Sequence, residues 1–257
     1  MTLQPTYEQL MLRLRGSEAV NVDETGWRIN ADNAWLWVFT NDELSVYVIE
    51  RSRAHEVAER VLGQDFAGVV GCDCFLAYDP LPYRQNKCAA HLLRRCKELI
   101  DLKSGQAVKF SHAVATLLRE AIVLKKQRAT LSPHVYALDC AACETKLDAL
   151  LQGRYSDPDN ARFAKLLRKQ RSRLLTFLYV DAVQPTNNAA ERELRPAVIV
   201  RKTNGCNRSD SGAKVHATVT SVLRTCYKQG IDFVAFVALL LHHPDSLAPP
   251  LLSGAGR

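Results

Sequence analysis

Hydrophobic spacing divides the chain into a strand-like part and a helical part. Short apolar runs rich in β-branched and aromatic residues come first: AVNVDETGW at Ala19 to Trp27, AWLWVF at Ala34 to Phe39 and LSVYVI at Leu44 to Ile49. Such runs, the last two separated by the turn-like TNDE, predict three antiparallel strands. Arg53 to Leu62 then places Ala54, Val57, Ala58, Val61 and Leu62 on one side of a helix. GVVGCDCF, Gly68 to Phe75, reads as a buried fourth strand, broken by Asp79-Pro80-Leu81-Pro82.

From Cys88 onward the apolar period becomes helical. HLLRRCKELI, KFSHAVATLLREAIVLKKQRA, HVYALDCAACETKLDALLQ and the basic stretch from Asn160 to Tyr179 predict four helices with no strand among them. Val180 to Pro185 leads into TNNAAERELRP, Ala197 to Arg201 reads as a brief apolar segment, Asn204 to Gly212 as a polar loop and Ala213 to Gln229 as a helix. The expected layout is a helical lead-in over 1–18, an α/β domain in two parts over 19–100 and 181–241, a mostly helical insertion over 101–180 and a tail over 242–257.

Composition narrows the class without choosing a function. A 257-residue chain with 47% hydrophobic and 24% charged residues can bury a sizeable core. Its net charge of +7 is concentrated between Leu81 and Thr130, which suits a phosphate backbone or an acidic partner but equally describes a solvated helical face. The N-terminus lacks the apolar core of a secretion signal, and the longest apolar run, Phe233 to Leu241, is too short to span a bilayer. A cytoplasmic protein with no membrane partner is therefore expected, and its eight cysteines read as reduced thiols. Cys140 and Cys143 have metal-ligand spacing but no second close pair, so buried thiols are the expectation.

Three carboxylates stand out. Asp23 interrupts the first predicted strand and Asp73 the fourth, where an unpaired charge is costly to bury. If those strands are central neighbours, both aspartates can face one site, which a carboxylate from a packed helix would complete. Carboxylates so close raise one another's pKa unless cations neutralise them, and magnesium or manganese suits oxygen donors. Two such ions would support phosphodiester transfer. Glu24, adjacent to Asp23, would face the other way on a strand. Asn188 and Glu191 have the spacing of a capping box, so Glu191 has a purely local reading as well. Glu193, two residues on, points roughly 160° away from Glu191 around the same helix and reads as a surface residue or an ion-pair partner. The tryptophans Trp27, Trp35 and Trp37 read as core rather than base-stacking residues.

In that order, VDETGW, GCDCFLAYD, KCAAHLLRR and TNNAAERELRPAVIVRKTNG resemble the blocks of the DDE transposases of the insertion sequence sixty-six family. The likeness runs from Val20 to about Leu241. It implies a ribonuclease-H-like α/β fold, a mixed five-stranded sheet flanked by helices with a helical insertion before the last catalytic helix. It also implies cleavage of mobile-element ends and joining of the freed 3′ hydroxyls to target DNA, with two magnesium or manganese ions. Asp23, Asp73 and Glu191 become the catalytic, metal-binding carboxylates; Cys74 and Phe75 stand where the family usually has Gly-Tyr. His91, Arg94, Asn187, Asn188, Arg192, Arg195, Arg201 and Lys202 become DNA contacts, the cations positioning phosphates rather than reading sequence. DNA is the expected partner, together with a homo-oligomer on DNA, a separately encoded DNA-binding protein and a nucleoid-associated location. Longer members carry a DNA-binding region before this domain, for which there is no room ahead of Asp23. An incomplete, purely DNA-binding remnant and another ribonuclease-H-like nuclease remain as alternative readings.

Overall fold

In the computed structural model residues 2–242 are described. A helix, α1 (Gln4–Arg15), precedes three strands, β1 (Ala19–Ile29), β2 (Asp32–Thr40) and β3 (Ser45–Glu50). The pairs β1–β2 and β2–β3 are antiparallel, with Asp23 opposite Val38 and Trp37 opposite Val48. Helix α2 (Glu56–Leu62) and strand β4 (Val69–Cys72) follow, then a fifth strand, β5 (Arg84–Lys87), which hydrophobic spacing did not reveal because it reads Arg-Gln-Asn-Lys. The sheet order is β3-β2-β1-β4-β5, a mixed α/β sheet of five strands in which β1 and β4 are neighbours, as expected.

Helices make up the rest: α3 (Ala89–Leu102), α4 (Lys109–Gln127), α5 (Pro133–Gln152), α6 (Pro158–Lys169), α7 (Asn188–Asn204), α8 (Asp210–Lys228) and α9 (Phe233–His242). Their starts are locally encoded. Ser132, Asp157 and Ser209 accept hydrogen bonds from the first-turn amides of α5, α6 and α8, and proline follows the first two caps.

Two compact units are present. The first takes the chain up to Val70, Phe75–Arg84 and the chain from Asn188; the second takes Gly71–Cys74 and Gln85–Asn187. In the first unit, one sheet face presents Trp27, Ile29, Leu36, Val38 and Tyr47, against which Ala190, Leu194 and Ala197 of α7 and Ala213 and Ala217 of α8 pack. The opposite face carries Trp37 stacked beside Phe39, with Tyr78 edge-on to Trp37. β3 is an edge strand whose outward groups are covered. Ser221 and Thr225 of α8 accept from the Tyr47 and Ser45 amides, so α8 occupies the edge that another strand would pair with. Gly68 has a steric reason: a Cβ there would overlap the carbonyl oxygens of Ser17 and Glu18 and the ring of Phe66.

The second unit is helical. Leu92, Cys96 and Leu99 of α3, Val114, Leu118 and Ala121 of α4, and Cys140, Cys143 and Leu147 of α5 are all buried. Lys103 binds both Asp157 and Asp159 at 2.6 and 2.8 Å, joining the end of α3 to the start of α6.

Several boundaries differ from the sequence-based expectation. β4 ends at Cys72, so Asp73 lies just past the strand rather than inside it. The stretch from Asn160 to Tyr179 is not one helix; after α6 it breaks into short 3-10 turns at Arg171–Arg173 and Thr176–Leu178. Ala197 to Arg201 is no separate segment, because α7 runs through Pro196 to Asn204. Proline supplies no amide there, so the Arg192 carbonyl loses its helical donor. Beyond residue 242, the expected tail lies outside the described residues.

Candidate active site

Strand periodicity places Asp23, Thr25, Trp27 and Ile29 on one face of β1, with no interruption of the β1–β2 register. Trp27 and Ile29 belong to the core that α7 covers, so Asp23 is on the sheet face toward α7. Its carboxylate is half-buried and accepts from the Glu24 amide at 2.9 Å. Glu24 points to the other face, as expected. There it is paired with Arg53 at 2.8 Å and accepts from the Tyr78 hydroxyl, while Arg53 is sandwiched between the Trp35 and Phe75 rings. Trp27 and Trp37 are core residues, 3% and 0% exposed; Trp35 is half-buried beneath Arg53.

Helix α7 buries Ala190, Glu193, Leu194 and Ala197. Glu191, one residue past Ala190, is half-buried at the margin of that stripe, in the first turn. Asp23 and Glu191 thus sit on a strand face and on the helix packed against it. The capping-box reading shifts by one residue. Because α7 begins at Asn188, Asn187 precedes the helix and Glu191 is its fourth residue. The Asn187 amide donates to Cys88 Sγ at 3.1 Å, while Asn188 is exposed. Arg192, Arg195 and Lys202 are exposed along α7, and Arg201 donates to Thr25 Oγ1 and Gly26 O, fastening the last turns of the helix to β1.

Within the second unit, Asp73 is half-buried just after β4. On α3, His91 is half-buried and Arg94 exposed, whereas Arg95 turns to Glu98 at 3.1 Å. Much of the positive charge expected between Leu81 and Thr130 is internally committed. Lys87 is fully buried, Lys103 holds the α6 aspartates, Lys125 donates to the Val180 carbonyl and Arg128 pairs with Asp181.

Of the two readings of Glu193, surface residue or ion-pair partner, the structure bears out the second, with the pair buried. Glu193 is 6% exposed and bound by both Arg224 Nε at 2.8 Å and Arg224 Nη2 at 3.1 Å, with the Tyr47 hydroxyl donating to it at 3.0 Å. Burial pushes its carboxyl up, but the Arg224 hydrogen bonds and the Lys228 charge outweigh this and hold it below the ordinary carboxylate value. Its partners come from α8 and β3, and no local pattern around Glu193 announces them. Cys140 and Cys143 are buried free thiols in α5, each pushed up in pKa by burial.

Carboxylate oxygens are the donors that magnesium or manganese takes. Among the described residues, however, no group of three or more His, Cys, Asp or Glu side chains stands together so as to hold a metal ion. The residue types fit such an ion, while an assembled three-ligand site is absent among those residues. Also among them, no helix is long and apolar enough to cross a membrane.

Comparison with known proteins adds the family. Two proteins of Sinorhizobium fredii (strain NBRC 101917 / NGR234) are similar. "Uncharacterized protein y4qI" is 26% identical over 90% of this chain and 48% of its own length, and "Uncharacterized protein y4jD" is 23% identical over 93% and 52%. The chain spans about half the length of these curated relatives. The profile described as "Transposase IS66 family" matches residues 1–215, and the chain belongs to that family of transposases.

Proposed function

We propose that this chain is the catalytic part of a DDE-type transposase that cuts DNA at the ends of a mobile element and joins the freed 3′ hydroxyl to target DNA. The reading rests on the family match together with one observation, that Asp23 lies on the sheet face toward α7 and Glu191 in the first turn of that helix. Asp23, Asp73 and Glu191 are the carboxylates proposed to act, by their match to the family's motif blocks. Magnesium or manganese, two ions in the proposed reaction, would supply charge neutralisation at the phosphate. The chain's own residues would hold and orient the DNA: Arg192, Arg195, Arg201 and Lys202 from α7, His91 and Arg94 from α3, and Asn187 and Asn188 at the entrance to α7. Partners proposed with it are a second copy of the chain on DNA and a separately encoded DNA-binding protein, in the nucleoid.

The test is a cleavage assay on the cognate element end with magnesium or manganese. Asp23→Asn and Glu191→Gln should each abolish cutting while leaving DNA binding measurable. Undiminished cutting by either folded variant would overturn the assignment of that carboxylate. DNA binding without cutting is the second reading, favoured by the exposed cations Arg192, Arg195 and Lys202 along α7. Specific cutting by this chain alone would reject it.

A further inference from the structure

At the far end of α7 from Glu191, a groove of about 700 Å³ opens between the β1–β2 turn and the loop joining α7 to α8. Its walls carry Arg28, Arg201 and Arg208 with Asn30, Asn33 and Asn207, and among the described residues no carboxylate lines it. The nearest acids in sequence, Asp32 and Asp210, are engaged elsewhere, both by Arg51 at 2.8 and 3.3 Å. Among the described residues, neither Arg28 nor Arg208 has a carboxylate partner.

The groove is built rather than incidental. Asn207 accepts from Trp27 Nε1 at 2.8 Å, donates to the Gly212 carbonyl at 3.1 Å, and its own carbonyl receives the Asn30 amide at 2.8 Å. Arg201 is fixed to Thr25 and Gly26. Two turns are set by backbone geometry. Asn30 has a φ of 59°, and Gly205 has a φ of 77° with nothing near its missing Cβ, leaving bare backbone at the rim. Cations and amide donors on a rigid frame, without acceptor charge, suit phosphate oxygens. Among the described residues the one aromatic ring at the wall is Trp27, which is 3% exposed and so offers no platform for a base.

Arg192, Arg195 and Lys202 recur along the exposed side of α7 and lead from the neighbourhood of Glu191 to this groove. At 1.5 Å per residue, the 13 residues from Glu191 to Asn204 cover about 20 Å. For a duplex lying along α7 that equals roughly six steps of a DNA strand at 3.4 Å each.

We infer that this groove, through Arg28 and Arg208, grips the sugar-phosphate backbone of duplex DNA roughly six base pairs from the position of cutting. The location relative to the cut rests on the proposed role of Glu191; the gripping of DNA does not. Contacts to phosphate alone carry no sequence information, so the groove would set register and contribute affinity.

The experiment measures binding of a random-sequence duplex to the full chain over a range of salt concentrations, with thermal melting as the folding check. Replacing both arginines (Arg28→Ala with Arg208→Ala) should weaken binding and lower the slope of log K against log salt by about 1.8, two contacts at about 0.9 each. The double lysine variant should keep most of the binding. An unchanged slope and affinity in the folded double alanine variant would overturn the inference, as would displacement of the duplex by polyglutamate equally from both proteins. A duplex bearing an uncharged methylphosphonate about six base pairs from the cut should bind the parent protein more weakly and the double alanine variant no differently. A Glu191→Gln protein that fails to lose cutting, yet whose groove variants lose DNA, sinks the catalytic assignment and leaves the groove standing. Full cutting activity with groove variants that bind DNA normally does the reverse.

Discussion

Glu191 and Glu193 are two residues apart and have opposite circumstances. Glu191 sits at the margin of the buried stripe, whereas Glu193 is enclosed with Arg224, Tyr47 and Lys228. Two residues along a helix is a rotation of roughly 200°, so whichever azimuth buries Glu193 fixes where Glu191 points. The ion pair therefore sets the rotation of α7 as well as its stability. Truncating one partner of a buried pair strands the other charge, so Glu193→Ala should cost about 3–5 kcal/mol in urea unfolding. The pH dependence has a definite sign. Glu193 is held below its ordinary value of 4.5, so the stabilisation is present above that pH and lost as pH falls through the lower folded value. The stability difference between the parent protein and Glu193→Gln should accordingly shrink in acid below about pH 4.5; a difference that stays constant from neutral pH downward would contradict this account. At this scale sequence spacing separated the directions of Asp23 and Glu24 and of Glu191 and Glu193. It could not say that the side of α7 carrying Glu193 faces protein, since Arg224 and Tyr47 arrive from distant segments.

Among the elements, those with strong local signals were legible. The β-branched and aromatic runs became β1 to β3, with β1 reaching further at one end, β2 at both and β3 shifted by one residue, and Cys140 and Cys143 became buried helical thiols. β5 was hidden because its residues are polar. Gln85, Asn86 and Lys87 are nonetheless buried, and their hydrogen bonds to non-adjacent segments make that burial tolerable. Ala197 to Arg201 reads as a separate apolar segment in the sequence, yet packing of Ala190, Leu194 and Ala197 on the sheet carries α7 through Pro196. Gly68 shows a constraint that propensity does not express, since it is required by the close approach of the Ser17–Glu18 backbone at the entry of β4. Gly68→Ala forces that backbone to move and should destabilise the protein by about 1–3 kcal/mol. A denaturant midpoint within error of the parent would mean that the Ser17–Glu18 segment yields without cost.

At the scale of the whole chain, the second unit is an excursion whose two ends are sewn together within it. Where it departs, Asn86, Cys88 and Ala89 meet the returning segment. Asn86 Nδ2 donates to the Gln184 carbonyl at 3.2 Å, the Ala89 amide to the Pro185 carbonyl at 2.9 Å and the Asn187 amide to Cys88 Sγ at 3.1 Å. The returning segment leads directly into α7, so the excursion ends where the helix carrying Glu191 begins. Asn86 is central to this closure. It is 1% exposed, and its Oδ1 additionally accepts from the Phe177 amide at 3.1 Å. Asn86→Ala would leave the buried Phe177 amide without this partner, at about 1–3 kcal/mol, and would remove the bond to the Gln184 carbonyl. The loss should be local in the first instance. Amide hydrogen exchange should accelerate over Thr176 to Asn187 while β1 to β3 keep their protection, because β1 stays paired with β2 from Asn21 to Ile29 and β3 is held by β2 and α8. Uniform acceleration across the sheet would instead mean that the closure is part of one cooperative unit with β1 to β3. Under the proposed function the same variant should lose more cutting than duplex binding, since it disturbs Asn187 and Asn188 at the entrance to α7 and leaves Arg192, Arg195 and Lys202 in place.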